Sequence, residues 1–150
     1  MTFVEEDPLI GDVNDAAKKI HQKLKEIESS TKPTAIVWGG ETTVKIKGSG
    51  LGGRNQELAL IVAELAHQDP IRKSWTFLSG GTDGRDGPTE AAGAIVDQET
   101  CKRILNEGYQ VYDFLAENNS NKALQISNDL LHTGATGTNV ADVQILLVSQ

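Results

Sequence analysis

The chain has 150 residues, of which 38% are hydrophobic and 23% charged, and its formal net charge is −7. That length makes one domain of ordinary size with a real core, and the four prolines are too few for a disordered chain. The acidic balance argues against nucleic acid or a membrane surface as the main partner, since both need basic patches, but it leaves room for a local basic site for a small anion.

Residues 1–10 carry acids and Pro8 without periodicity and read as a lead-in to a single domain over 11–150. The start, Met1 to Asp7, lacks the basic and apolar regions of a secretory signal. No apolar run approaches the roughly 20 residues of a membrane span. Asp12 is placed to cap a helix carrying Val13, Ala16, Ala17, Ile20, Leu24 and Ile27 on one face and lysines mostly on the other. His21 falls among its solvated positions.

Thr34 to Trp38 is a short apolar run ending at Gly39-Gly40, as expected of a buried strand. Thr42 to Lys47 alternates polar and apolar residues, which predicts a half-exposed strand forming a hairpin with it. After the glycine-rich stretch Gly48 to Gly53 comes a helix from Arg54 or Asn55 to His67, apolar nearly all round and so expected to be buried.

Trp75 to Leu78 and Ala94 to Asp97 read as strands flanking the stretch Ser79 to Gly93. Asp97 is placed to cap a helix with Cys101, Ile104 and Leu105 that ends at Gly108. Cys101, the single cysteine, can form no internal disulfide or zinc framework and is expected to be an inert packed thiol. The cysteine count and the absence of a signal point to the cytoplasm, with an organelle as the other compartment. Val111, Phe114 and Leu115 indicate a short helix, Ala123, Leu124, Leu130 and Leu131 further helical pieces, and Val143 to Val148 a last strand. Strands alternating with helices predict an α/β fold, a three-layer α/β/α sandwich with a central mixed sheet.

Four polar loops fall at strand ends or helix starts: Gly39 to Thr43, Gly48 to Glu57, Ser79 to Glu90 and Thr133 to Asn139. In open α/β sheets such loops gather at one edge, where ligands bind. In Gly48 to Asn55 the glycines would let backbone amides approach an anion, the following helix start would offer free N–H groups, and Arg54 would add a charged fork. The other reading is a flexible connector with Arg54 and Glu57 as surface charges. Asp83, Asp86 and Glu90 supply oxygens suited to Mg²⁺, with Asp83 and Asp86 three apart in one turn. Alternatively the two aspartates accept hydrogen bonds from the loop's own amides. His67 ends a helix and His132 is a lone histidine, so no nucleophile–base pair can be assembled. That inventory fits phosphoryl transfer, which asks chiefly for positioning, metal and positive charge.

Gly39-Gly40-Glu41-Thr42-Thr43-Val44, then Gly48-x-Gly50-x-Gly52-Gly53-Arg54-Asn55-Gln56-Glu57, then Ser79-x-Gly81-Thr82-Asp83-Gly84-x-Asp86-Gly87-Pro88-Thr89, and finally Thr133-Gly134-x-Thr136-Gly137-Thr138-Asn139-Val140-x-Asp142 stand in this order. As a set they resemble the C-terminal (MOFRL) domain of the glycerate 2-kinase family. Ala135 stands where the family pattern has proline, and Glu90 where aspartate is commoner. The resemblance implies ATP-dependent phosphorylation of D-glycerate to 2-phosphoglycerate with Mg²⁺, in a cleft shared with a larger N-terminal Rossmann-like domain outside this chain. It implies catalytic roles for Arg54 and Asp83 and a metal role for Asp83 and Asp86. It also implies substrate or phosphate contacts from Gly40, Glu41, Thr42, Gly52, Gly53, Arg54, Asn55, Glu57, Thr82, Gly84, Thr138 and Asn139. The chain alone is then expected to be inactive, and Arg54→Ala to cost activity with little effect on folding. A stand-alone module that holds a phosphorylated metabolite without turnover is the competing expectation.

Overall fold

The computed structural model describes residues 1–149. In chain order the elements are β1 (Thr2–Val4), β2 (Leu9–Asp12), α1 (Val13–Ile27), β3 (Thr34–Thr43), α2 (Arg54–Gln68), β4 (Trp75–Gly81), β5 (Gly93–Asp97), α3 (Thr100–Asn106), α4 (Val111–Ala116), α5 (Ser120–Ser127), β6 (Leu130–Leu131) and β7 (Asp142–Val148). One sheet runs β1-β3-β7-β4-β5-β6, with β2 also paired to β3. β1 and β2 are parallel to β3, and every other pairing is antiparallel.

The mixed sheet expected from the sequence is present, but for another reason. No hairpin follows β3: its strand continues to Thr43, and residues 44–53 run on without strand pairing. The parallel pairs come instead from the first residues, expected as a lead-in. Thr2 to Val4 pair with Ala35 to Val37, and Leu9 to Asp12 with Gly40 to Thr43. Three- and four-residue strands with an exposed face leave too short an alternation to read.

α1 forms as its periodicity requires. Asp12 Oδ1 accepts the N–H of Asn14 at 2.8 Å, and Val13, Ala16, Ala17, Ile20 and Leu24 are buried. His21 is more sheltered than expected, its ring 3.2 Å from the carbonyl of Asp69. α2 buries ten of its residues, among them Leu58, Leu60 and Val62. Asp97 accepts the N–H of Glu99, just before α3, rather than capping the helix itself. Leu130 and Leu131, expected to be helical, form the edge strand β6.

Helices α1, α3, α4 and α5 all pack against α2. Their apolar residues join Ile36, Trp38, Phe77, Val96 and Leu146 of the sheet in one core. All five helices therefore lie on one face, giving two layers where three were expected; the α/β class and the mixed sheet stand. The alternation of strands with helices suggested a second helical layer, but alternation alone does not fix which face each helix covers. The uncovered face includes Ile95 and Leu147, 39% and 49% exposed. No helix among the described residues is long and apolar enough to cross a membrane.

Candidate functional site

β3 and β4 end, and β7 begins, at the same sheet edge, because Asp142 is paired with both Gly40 and Gly81. The loops leaving these strands are thereby gathered there, as the sequence predicted. Between the strap 41–53, the start of α2 and the turn at Gly87-Pro88 lies a cavity of about 610 Å³, lined among others by Glu41, Thr42, Val44, Ile46, Gly52, Gly53, Arg54, Glu57 and Asn118.

Arg54 opens α2 at the rim of this cavity. Its Nε donates to Asp142 Oδ2 at 2.7 Å and its Nη2 to Asp142 Oδ1 at 2.9 Å, while Nη1 lies 3.3 Å from Glu41 Oε1. The Asp142 side chain is wholly buried and that of Arg54 is 36% exposed. A fork of this kind fixes the guanidinium plane and leaves N–H groups of its five over for a ligand. The hydrogen bond to Asp142 raises the Arg54 pKa, against the opposing effect of burial. Arg54 is thus also structural, contrary to the expectation that it could be removed with little effect on folding.

The start of α2 is not open to an anion. Asp86, 2% exposed, occupies it. Asp86 Oδ1 accepts the backbone N–H of Asn55 at 3.1 Å and its Nδ2 at 3.2 Å. Asp86 Oδ2 accepts the N–H of Gln56 and its Nε2, both at 2.9 Å. With both oxygens committed to neutral donors, Asp86 is a helix cap and not a metal ligand. Asn55 is likewise scaffold rather than phosphate contact: it is fully buried, and its Oδ1 accepts the hydroxyl of Ser79 at 2.7 Å. Asp83 is exposed and its Oδ1 accepts the N–H of Arg85 at 3.0 Å. The two aspartates therefore do not converge as their spacing suggested. No group of three or more His, Cys, Asp or Glu able to hold a metal occurs among the described residues.

The glycines of the strap serve packing. A Cβ on Gly53 would lie 2.3 Å from Asp86 Cγ, and one on Gly50 would lie 2.5 Å from the carbonyl oxygen of Glu117. The strap's amides are spent in the same way. Asn118 Oδ1 accepts the N–H groups of Lys47 at 2.6 Å and Gly48 at 3.0 Å, Glu117 O accepts that of Gly50, and Asn119 Oδ1 that of Leu51. Asn118 Nδ2 donates to both oxygens of Glu57 at 3.1 Å. Asn118 itself sits at φ 52, left-handed backbone that asparagine tolerates. Glu57 is 6% exposed, and its burial raises its pKa against the lowering effect of Asn118.

Of the remaining predicted residues, all but Thr42 sit beside this cavity, not in its wall. Thr82 Oγ1 donates to Ala141 O at 2.7 Å and accepts the N–H of Val140 at 2.8 Å, tying the 82–87 loop to the 133–141 loop. Ala141 at φ 67 is strained backbone at that junction. Gly84 abuts the carbonyl of Gly134, and Thr138 and Asn139 are exposed. Gly40 lies against the backbone of Leu9, making room for β2. Thr42 is 2% exposed, lines the cavity, and its hydroxyl finds no partner among the described residues. Sequence reasoning missed Asn118 and the role of Asp142. A lone asparagine in a turn carries no signal of its partners, and Asp142 reads as the first residue of a strand. The pairing of Arg54 with Asp142, 88 positions apart, is visible only once the sheet is folded.

Comparison with known proteins places these features in a wider set. The sequence profile of the MOFRL family matches residues 34–142. The chain is 46% identical over 134 residues to a glycerate kinase of Homo sapiens, covering 87% of this chain and 26% of that protein. It is 45% identical over 142 residues to a D-glycerate 2-kinase of Thermotoga maritima, covering 91% of this chain and 33% of that protein. The crystal structure of a glycerate kinase from Thermotoga maritima superimposes with a TM-score of 0.92 at 42% identity, over 99% of this chain and 36% of that one. The chain thus spans roughly a quarter to a third of the length of the curated relatives it matches.

Proposed function

The chain belongs to the MOFRL family, and from that premise we propose that it forms the C-terminal part of a glycerate 2-kinase, contributing to ATP-dependent phosphorylation of D-glycerate to 2-phosphoglycerate. What carries the reading is the likeness over 91% of the chain to a protein named D-glycerate 2-kinase. The oriented Arg54 fork beside a cavity of substrate size supports it. Phosphoryl transfer is catalysed largely by positioning and charge, and a guanidinium locked by Asp142 supplies both without reorganising.

In this reading Arg54 meets the transferring phosphoryl group, and Glu41, Thr42, Gly52, Gly53 and Glu57 form the substrate side. Thr82, Gly84, Thr138 and Asn139, on the two tied loops, face the nucleotide together with Asp83. Magnesium enters with ATP as part of the substrate, since Mg²⁺ is commonly held by substrate phosphates and one or two carboxylates. Asp83, the exposed carboxylate of its loop, is the residue assigned to it. The missing wall of the cleft comes from a Rossmann-like N-terminal domain of the same enzyme, and the compartment is the cytoplasm.

The test is a chimera in which this chain replaces the matching third of the Thermotoga maritima enzyme. ATP-dependent formation of 2-phosphoglycerate, absent from the isolated chain, is expected. A folded chimera that binds both substrates without turnover refutes the kinase reading and favours a module that only binds.

A further inference from the structure

One backbone outlier stands directly before the carboxylate that holds Arg54. Ala141 sits at φ 67, a left-handed conformation in which its Cβ crowds the following carbonyl and which glycine would adopt freely. Gly81 pairs with Asp142, so an extended Ala141 would lie opposite Thr82 and lengthen β7. Instead the two peptide planes flanking Ala141 are held from outside. Asn139 Oδ1 accepts the Ala141 N–H at 3.2 Å, which fixes the plane before it. Thr82 fixes the plane after it: the Ala141 carbonyl accepts the Thr82 N–H at 3.0 Å and the Thr82 hydroxyl at 2.7 Å. The same hydroxyl accepts the N–H of Val140 at 2.8 Å. A planar peptide leaves each residue only φ and ψ, so holding both planes holds Ala141. Strained backbone of this kind persists only where its surroundings over-determine it. The next residue is Asp142, its side chain wholly buried and its oxygens on Arg54 at 2.7 and 2.9 Å.

We propose that Thr82 is a positioning residue for Arg54, acting through the Ala141–Asp142 peptide: its hydroxyl and N–H hold Ala141 in the strained state, and that state aims the Asp142 carboxylate at the guanidinium. Without the clasp Ala141 relaxes to extended backbone, the peptide turns, and the Asp142–Arg54 pair loses its geometry. Thr82 keeps its place on the nucleotide side, while its hydroxyl acts on Arg54. The Thr136 hydroxyl donates to the Thr82 carbonyl, so a change in either loop reaches Arg54 by one short path. The proposal rests on the kinase reading only for its consequence in turnover; the link from Thr82 to the Arg54 fork stands on the backbone.

The test is the Arg54 Nε–H resonance of this chain in Thr82→Val, which keeps the side-chain shape and removes the hydroxyl. That resonance should shift and its hydrogen exchange should quicken roughly tenfold or more, the scale of a lost hydrogen bond, while the amides of α1 stay unchanged. Thr82→Ser, which keeps the hydroxyl, should leave both as they are. The double variant Thr82→Val with Ala141→Gly should recover the resonance, because glycine needs no clasp to stay left-handed. In the chimera, Thr82→Val should lower kcat roughly tenfold or more, the effect of a misplaced group, with KM for magnesium–ATP unchanged. A raised KM at constant kcat would mark a lost nucleotide contact and overturn the proposal. So would an unaltered Arg54 resonance in Thr82→Val, or no recovery in the double variant. Thr82→Ala, read in the same way, stands in if Thr82→Val does not fold. An inert chimera of otherwise unaltered sequence sinks the kinase reading alone and leaves the resonance to decide. An active chimera whose Arg54 ignores Thr82 sinks this proposal alone.

Discussion

Gln56 grips Asp86 twice, donating its backbone N–H and its side-chain Nε2 to the same oxygen, each at 2.9 Å. The carboxylate fills the place at the start of α2 that a phosphate would otherwise take, and it does so from inside the chain.

Asp86→Asn should therefore behave as a folding lesion. It replaces an acceptor by a donor facing N–H groups in a buried site, a change expected to cost about 2–3 kcal/mol. Chemical denaturation should report that loss, and calorimetric titration should find Mg²⁺ affinity unchanged. A stable variant with weakened Mg²⁺ binding would return Asp86 to the metal.

Arg54→Ala strands the fully buried Asp142 carboxylate and is expected to cost about 3 kcal/mol as well as activity. Adding Asp142→Asn should recover most of that stability and none of the lost function, since the neutral partner no longer needs a cation. Melting curves of the two single variants and the double variant, beside chimera kcat/KM, check both halves.

Glu57 gives a pH signature. Its pKa is raised in the fold above the ordinary 4.5, so the folded state holds the proton more tightly than the unfolded one. That contribution is complete below 4.5 and is lost as pH rises through the raised value. Lys47 favours the ionised form, while Asp12 and Asp86 oppose it. Denaturation at a series of pH values should show Glu57→Gln losing this decline on the alkaline side of 4.5, the fold otherwise intact.

Gly53→Ala would place a methyl 2.3 Å from Asp86 Cγ. Overpacking of this kind costs about 1–3 kcal/mol. The cap and the strap should loosen together, and hydrogen exchange at Asn55, Gln56 and Gly48 should quicken in the same variant.

The parts of this fold that were legible in the sequence are those where one local pattern suffices. The face of α1, the buried α2 and the strand around Ile145 follow from spacing alone. Thr42 and Lys47 misled because their alternation continues past the residue where β3 ends and the strap begins. The site was legible as a set of loops, not as a set of contacts. Glycines at Gly50 and Gly53 look alike whether a phosphate or a neighbouring backbone approaches them, and here it is Glu117 and Asp86. Asp83 and Asp86 share a turn, yet one faces water and the other a helix end. Which way each points depends on α2, thirty residues earlier in sequence from Asp86.

β7 lies between β3 and β4, with Val148 opposite both Thr34 and Trp75. On the ribosome, everything before Asp142 is made while the middle of the sheet is vacant. β3 and β4 then have an open hydrogen-bonding edge each, and Arg54 has no Asp142 to close on. The strand that joins the halves of the sheet also brings the carboxylate that orients the arginine, so sheet closure and site assembly are one late event. Such long-range pairing slows folding, and a nascent chain stalled a few residues short would present two unpaired edges to its neighbours.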